Sequence, residues 1–378
     1  MIAPIALAAL GISAATYLVS AAAALSLRRR SRAAEIRGTT PPVSILKPLA
    51  GADEGLEENL ESFFRLDYES FEIVFSFASR DDPAYPVARE VADRHPERPT
   101  TFVFDAREPG GNSKVNRLAA AVPYAKHRLI LFSDANVHIQ PDFLRRAVTS
   151  FVADERLGLV SNLFRATGAR SLGSRVETLF LNGCLLPGTA AVAAVLRRPC
   201  VVGKSILVTR RALESIGGIA TLRDHLAEDY LLGQAIQRAG YRVALSGDVL
   251  DTTEIAKPLK TVWARHRRWA LMRKRLAGPL YASELFTGAF PWYVAALAAA
   301  RSPWTAAAAT ALLAARWGAE LALARLEEHP VPARDATLLP LRDLGAFALF
   351  WAGLFGRAVK WRGRELEIGA KTRIVGTA

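Results

Sequence analysis

Between residues 43 and about 255, short apolar runs alternate with amphipathic stretches. Residues 43–46 form an apolar run that ends at Lys47-Pro48, and Leu56–Phe64 follows with helical spacing. Phe71–Phe77 alternates in part and predicts a strand, stopped by Asp81-Asp82-Pro83. Residues 87–95 predict a helix and 101–104 a strand. Gly110-Gly111-Asn112 reads as a turn, residues 114–121 as the start of a helix, and Leu129–Ser133 as a fourth strand ending at Asp134. This alternation argues for an α/β fold with a mostly parallel sheet covered on both faces. Ligands of such sheets bind beyond the carboxyl ends of the strands. Asp82 and Asp134 both lie just past a strand and are expected at one site.

The ends of the chain follow another pattern. Residues 2–27 contain no charge, a run of 26, where about 20 apolar residues suffice to cross a bilayer. Arg28, Arg29, Arg30, Arg32 and Arg37 come next, so residues 1–28 read as a transmembrane anchor with the arginines on the cytoplasmic side. A cleaved signal peptide carries its basic residues ahead of the apolar stretch instead. Three apolar runs, 285–300 with Pro291 inside it, 302–315 and 344–356, are each shorter than the ~20 residues of a confident span. They predict membrane-associated helices over 283–358, spanning, re-entrant or interfacial, before a basic tail at 359–378. Arg316 and Glu320 are spaced to pair along one helix. Residues 179–196 carry no charge but contain Pro187-Gly188, which leaves an interfacial segment and a buried helix as alternatives.

A formal charge of +13 admits two partners, nucleic acid and an anionic lipid surface. The anchor, and the arginines and lysines that flank apolar runs, favour the membrane and argue against nucleic acid. Cys184 and Cys200 fit no metal or disulfide spacing and are expected as partly buried, reduced thiols.

Candidate chemistry gathers on a few residues. Asp134, in Ser133-Asp134-Ala135-Asn136, is placed for a metal and a nucleotide, and Asp82 has a similar position; turn formation would explain either aspartate alone. Lys114 follows Gly-Gly-Asn-Ser, where a helix N-terminus and an ammonium together suit phosphate. Asp229 is the candidate base, with Glu228 beside it able to shift a carboxyl pKa. An acidic pair at a helix N-terminus is the plain alternative. Arg265 and Arg268 share a helix face with Trp269 after the second, a combination suited to bidentate phosphate contact or to a membrane surface. A leaving diphosphate needs cations, and an acceptor hydroxyl needs a base. Together these runs point to glycosyl transfer from a nucleotide sugar.

The ordered motifs Lys47-Pro48-Leu49, Asp81-Asp82-Pro83-Ala84, Gly111-Asn112-Ser113-Lys114, Ser133-Asp134, Val202-Gly203-Lys204-Ser205, Glu228-Asp229-Tyr230 and Arg265-x-x-Arg268-Trp269 resemble ceramide glucosyltransferases. These are inverting, family-2-like enzymes of GT-A fold. The resemblance covers about residues 40–275 and the anchor. It implies a cytoplasmic GT-A glycosyltransferase domain that uses UDP-glucose and ceramide. By that resemblance Asp82 would hold the uracil or ribose, and Asp134 the diphosphate with Mg2+ or Mn2+. Lys114 and Glu228 would line the nucleotide-sugar site, and Asp229 would be the base on the primary hydroxyl of the lipid. Arg265, Arg268 and Trp269 form the family's last motif; the latter two would close over diphosphate and acceptor. One departure is Asp134-Ala135-Asn136 in place of Asp-x-Asp, since the neutral Asn136 is a poorer ligand for a hard cation. Another is Arg265 where glutamine is common. Hopanoid-linked N-acetylglucosaminyltransferases are similar over the same motifs, and a non-catalytic membrane scaffold is a reading from another class. The Ala- and Arg-rich composition is of a bacterial kind, so the inner membrane is the expected location.

Overall fold

A computed structural model describes residues 2–33, 40–198, 200–361 and 364–377. Arg37 of the basic flank and Arg362 of the tail lie outside the described residues. The chain divides into two compact units, one of Ser26–Gly168 with Leu196–Ile255, the other of Met1–Leu25, Ala169–Val195 and Ala256–Ala378. The span 40–275 contributes to both.

The first unit is built on a sheet of β1 (Val43–Pro48), β2 (Phe71–Phe77), β3 (Thr100–Phe104), β4 (Leu129–Ser133), β5 (Val137–His138), β6 (Leu157–Thr167), β7 (Ser205–Thr209) and β8 (Arg242–Thr253). Among the described residues its order is β3-β2-β1-β4-β7-β6-β8-β5. β1 to β4 are mutually parallel, β7 runs antiparallel between β4 and β6, β8 lies parallel to β6, and β5 is an antiparallel edge. The central strands are buried on both faces, which is why Val43, Ile45, Leu46, Val74, Phe75, Ile130 and Leu131 are apolar without alternation. The chain builds outward from β1 to β3 and then returns to the other side of β1 with β4. This reversal opens a crevice at the carboxyl ends of β1 and β4. The helix after β2 runs over Ala84–Arg94 and so starts ahead of the expected 87. Asp82 Oδ1 accepts the Ala84 N–H at 3.0 Å and draws Pro83 and Ala84 into the first turn.

The pairing of β6 with β8 shifts between Asn162 and Leu163, leaving Gly247 and Asp248 out of register. This bulge receives the end of the N-terminal helix: Gly247 N–H donates to Ser31 Oγ at 2.8 Å, and a Cβ on Gly247 would stand 2.3 Å from the Leu27 carbonyl carbon. Arg146 secures the bulge through Asp248 at 2.6 Å.

The second unit is helical. Among the described residues two helices are long and apolar enough to cross a membrane, Ile2–Ala33 and Leu172–Ala194. The uncharged segment at 179–196 thus mostly belongs to a longer helix. Pro187 lacks the N–H that would continue the ladder, and a wide π turn at Leu181–Leu185 just before it takes up the mismatch. The C-terminal runs become helices Phe290–Ala298, Pro303–Leu326 and Leu339–Phe355. The tail adds a small antiparallel sheet of β9 (Ala358–Trp361), β10 (Arg364–Ile368) and β11 (Ile374–Thr377).

A buried ion network holds these helices. Arg316 and Glu320 pair at 2.7 Å, as their spacing predicts. Arg342 donates to both Glu320 oxygens at 2.8 and 2.9 Å and to Asp343 Oδ1 at 2.7 Å. Asp343 Oδ2 accepts the Ala289 and Phe290 N–H groups, each at 3.0 Å, and Trp317 Nε1 at 3.1 Å. Gly183 is required beside it, because a Cβ there would fall 2.0 Å from Glu320 Oε1.

Candidate active site

The site forms where two helix N-termini meet the crevice of the sheet. Asn112 caps helix Ser113–Ala121 by accepting the Lys114 and Val115 N–H groups at 3.1 and 3.2 Å. Its amide nitrogen donates to Glu228 Oε2 at 3.1 Å and to the His225 carbonyl at 2.7 Å. One asparagine therefore ties the start of this helix to the start of helix Glu228–Arg238. Gly110 lets the turn close, since a Cβ there would collide with the Arg223 side chain at 2.4 Å.

Lys114 Nζ lies 2.8 Å from Asp134 Oδ1 and 3.0 Å from Glu228 Oε1. Lys204, just ahead of β7, is 3.4 Å from Asp134 Oδ2 and donates to Asn136 Oδ1 at 2.7 Å. Lys47, at the end of β1, is fully buried, donates to the Asp134 carbonyl at 2.9 Å and stands 3.5 Å from the Phe63 ring centroid. Three lysine side chains thus surround Asp134 at the sheet crevice. Burial alone would raise the Asp134 pKa, but Lys114 and Lys204 outweigh it and hold the carboxyl at about 2. Burial would lower Lys114, yet Asp134 and then Glu228 raise it above its ordinary value. Lys47 goes the other way: burial, opposed by Asp134 and aided by Lys204, brings it down to about 7.

Asp229 is held differently. Its Oδ2 accepts the Gly203 N–H at 2.8 Å and its Oδ1 the Tyr230 N–H at 2.7 Å. Among the described residues it has no ion-pair partner within 4.0 Å. Burial and the neighbouring Glu228 raise its pKa to about 6, against the pull of Lys114 and the two backbone donors. A half-buried carboxyl poised near neutrality suits a proton acceptor. The Gly203 carbonyl accepts from Lys114 Nζ at 3.4 Å, so one residue touches both the cation and the base. A Cβ on Gly203 would press to 3.0 Å from Lys114 Nζ and 3.1 Å from Asp229 Oδ2. Burial, then Asp229, push the Cys200 thiol up to about 12, which keeps it protonated and unreactive.

Asp82 sits beyond β2, where Oδ1 also accepts the Gly51 N–H at 2.8 Å. It bridges the loops after β1 and β2 at the same sheet edge. Arg265, Arg268 and Trp269 belong to the helical unit, on helix Leu259–Ala277. There Arg265 and His266 both bind the buried Glu177, the histidine through Nε2 at 3.0 Å. The Arg265 guanidinium lies 5.7 Å from the Trp269 ring centroid, and Arg268 is half-buried on the same helix. The structure therefore gathers Lys114, Asp134, Glu228 and Asp229, keeps Asp82 along the same edge, and carries the arginine motif in the other unit.

Lys47, Lys204, Asn112 and Glu177 have no assigned role in the reading of the sequence. A lysine closing the apolar run of β1 is a signal in principle. Glu177 offers none, because its importance comes from partners 88 and 89 residues away.

A divalent cation here would find one carboxylate at Asp134 and one amide oxygen at Asn136, both facing Lys204. That donor set fits a cation held by one or two protein oxygens and completed by substrate phosphates. Among the described residues no group of three or more His, Cys, Asp or Glu could hold a metal alone.

A family model described as glycosyl transferase family 21 matches residues 3–374. Ceramide glucosyltransferase 1 of Caenorhabditis elegans is 29% identical over 248 residues, 66% of this chain and 53% of that protein. Ceramide glucosyltransferase 3 of the same organism is 28% identical over 256 residues, 66% of this chain and 54% of that protein. The chain spans about half the length of the curated relatives it matches. Among solved structures, the mannosyltransferase PcManGT from Pyrobaculum calidifontis in complex with GDP-Man and Mn2+ superposes with a TM-score of 0.51 at 22% identity. That match covers 92% of this chain and 99% of that one, a likeness of the GT-A fold.

Proposed function

The chain belongs to glycosyl transferase family 21, and from that premise we propose that it transfers a hexose, glucose first among them, from a UDP-sugar to the primary hydroxyl of ceramide or a similar sphingolipid, with inversion. The arrangement of Asp229 carries the reading: a half-buried carboxyl with a pKa near 6, set beside a crevice where lysines gather.

In this mechanism the lipid hydroxyl attacks the anomeric carbon while Asp229 takes its proton. The bond from that carbon to the diphosphate breaks on the opposite face, and UDP leaves with the electron pair. One displacement inverts the centre. Lys114 and Lys204 meet the charge that grows on the leaving group, and both can turn from Asp134 to phosphate. Asp134 and Asn136 are the residues that would hold Mg2+ or Mn2+, which when bound would neutralise diphosphate charge. Asp82 serves the uracil or ribose end of the nucleotide, and Arg268 and Trp269 close over the diphosphate and acceptor. Arg265, engaged by Glu177, is a positioning residue for that helix.

The enzyme lies in a bacterial inner membrane with the sheet unit in the cytoplasm, the side that Arg28, Arg29, Arg30 and Arg32 favour. Purified protein given UDP-glucose and ceramide is expected to release UDP and form a glycolipid of inverted anomeric configuration, read by mass spectrometry and NMR. Glycosylation of a hopanoid in place of ceramide, in the same assay, would reassign the acceptor. No glycolipid from any donor and lipid pair would end the reading.

A further inference from the structure

The sheet unit holds a buried acid that the proposed chemistry does not use. Glu254 directly follows β8, is fully buried, and donates its N–H to the Thr167 carbonyl at 3.0 Å. The antiparallel pairing of β5 with β8 sets Val137 opposite Thr252, and the Thr253 N–H donates to the Asn136 carbonyl at 3.0 Å. The two backbones are therefore tied together where Asn136 and Glu254 come side by side. Asn136 Nδ2 donates to Glu254 Oε1 at 3.2 Å, while its Oδ1 accepts from Lys204 at 2.7 Å.

These two contacts fix which way the amide faces, since oxygen and nitrogen of an amide are assigned from the hydrogen-bond network. Turned over, Nδ2 would point at an ammonium, which has no lone pair to accept with, and Glu254 would lose its donor. An aspartate at position 136 would still accept from Lys204. It has no N–H for Glu254, however, and would set two carboxyl groups against each other. Of these two residue types, only the amide joins a buried acid on one side to a cation on the other. The departure from Asp-x-Asp at Asp134-Ala135-Asn136 thus has a physical cause one layer deeper in the sheet unit. Lys204 also lies 3.4 Å from Asp134 Oδ2, so oxygens of Asp134 and Asn136 converge on one cation.

We propose that Glu254 is a positioning residue: by holding Asn136 Nδ2 it keeps Oδ1 turned to the crevice, where Asn136 and Asp134 together hold the cation that meets the donor's diphosphate. Lys204 and a divalent metal share the chemistry that this oxygen recognises. The proposal rests on the reading of the chain as a nucleotide-sugar glycosyltransferase and adds what orients its cation-binding oxygens.

UDP binding to the full chain in nanodiscs, measured by calorimetry in Mn2+ and in EDTA, tests it. Glu254→Met removes the acceptor at similar length and is expected to weaken UDP binding roughly 10–100-fold, as loss of an outer-shell partner does. Asn136→Asp should weaken it comparably. Adding Glu254→Gln to Asn136→Asp should recover roughly tenfold or more, because the amide then donates from the other side of the pair. A loss confined to Mn2+ supports the proposal with the metal on Oδ1, and an equal loss in EDTA supports it with Lys204 there. Wild-type affinity in a folded Glu254→Met, or no recovery in the double variant, would overturn it. Thermal unfolding shows whether each variant folds, and if Glu254→Met does not, the exchange of amide and acid decides alone. Coupling of the two positions in UDP binding, with no sugar transferred by the wild type, would count against the enzyme reading and leave Glu254 its role.

Discussion

In the helical unit Arg342 donates two hydrogen bonds to Glu320, and Asp343 is saturated by an arginine, two backbone donors and a tryptophan. In the sheet unit the charges also cluster, but Asp229 is left with two backbone donors and an acidic neighbour. The first cluster directs both carboxylates at fixed partners and has nothing to give a substrate. The second leaves one carboxyl near neutrality and keeps its lysines on Asp134, a partner that a diphosphate can replace. A closed network specifies how helices pack, whereas an open one can react.

The comparison can be broken from either side. Asp229→Asn should lower kcat by roughly 10²–10⁴ while Tm shifts by no more than about 4 °C and UDP binding persists. Transfer at an unchanged rate would show that the open cluster does not supply the base. Arg342→Ala should have the opposite profile, costing about 3–5 kcal/mol by stranding buried acids. Thermal unfolding would register the loss, and a variant as stable as the wild type would deny the closed network its role. Gly203→Ala, which crowds Lys114 and Asp229 at once, should cost about tenfold in kcat with little change in Tm, because small displacements of reacting groups are expensive. An effect of similar size is that of pH. Because the Asp229 pKa is raised to about 6, the base is ionised above that value and protonated below it. For the donor-free enzyme, kcat/KM for the donor should therefore fall as pH drops through about 6, and at pH 5 to about a tenth of its plateau. A flat kcat/KM profile between pH 5 and 8 would sink this assignment.

The parallel half of the sheet was legible because β1, β2 and β4 are buried on both faces and read as apolar runs between turn residues. β6, β7 and β8 were not assigned one by one, since β7 reverses direction and pairs at long range. Asp134, Glu228, Asp229 and Lys114 could be named because each follows a recognisable strand end or helix start. Lys47 and Lys204 could not be given roles: their partners depend on β1 and β7 both flanking β4. The N-terminal apolar helix was plain from its lack of charge. The helix through 172–194 was obscured by Pro187, whose effect is confined to one wide turn.

The peptide of Gly203 gives its N–H to Asp229 and its carbonyl to Lys114. This contact has a consequence for timing. While Lys114 stays in place its charge keeps Asp229 a weaker base. On the proposed mechanism, a diphosphate that draws the ammonium away relieves that restraint, so the base gains strength only once the donor is loaded. The site is then least able to deprotonate a hydroxyl when there is no sugar to transfer. Initial rates showing ordered binding, donor before acceptor, would be the kinetic mark of it, and random order would remove the coupling.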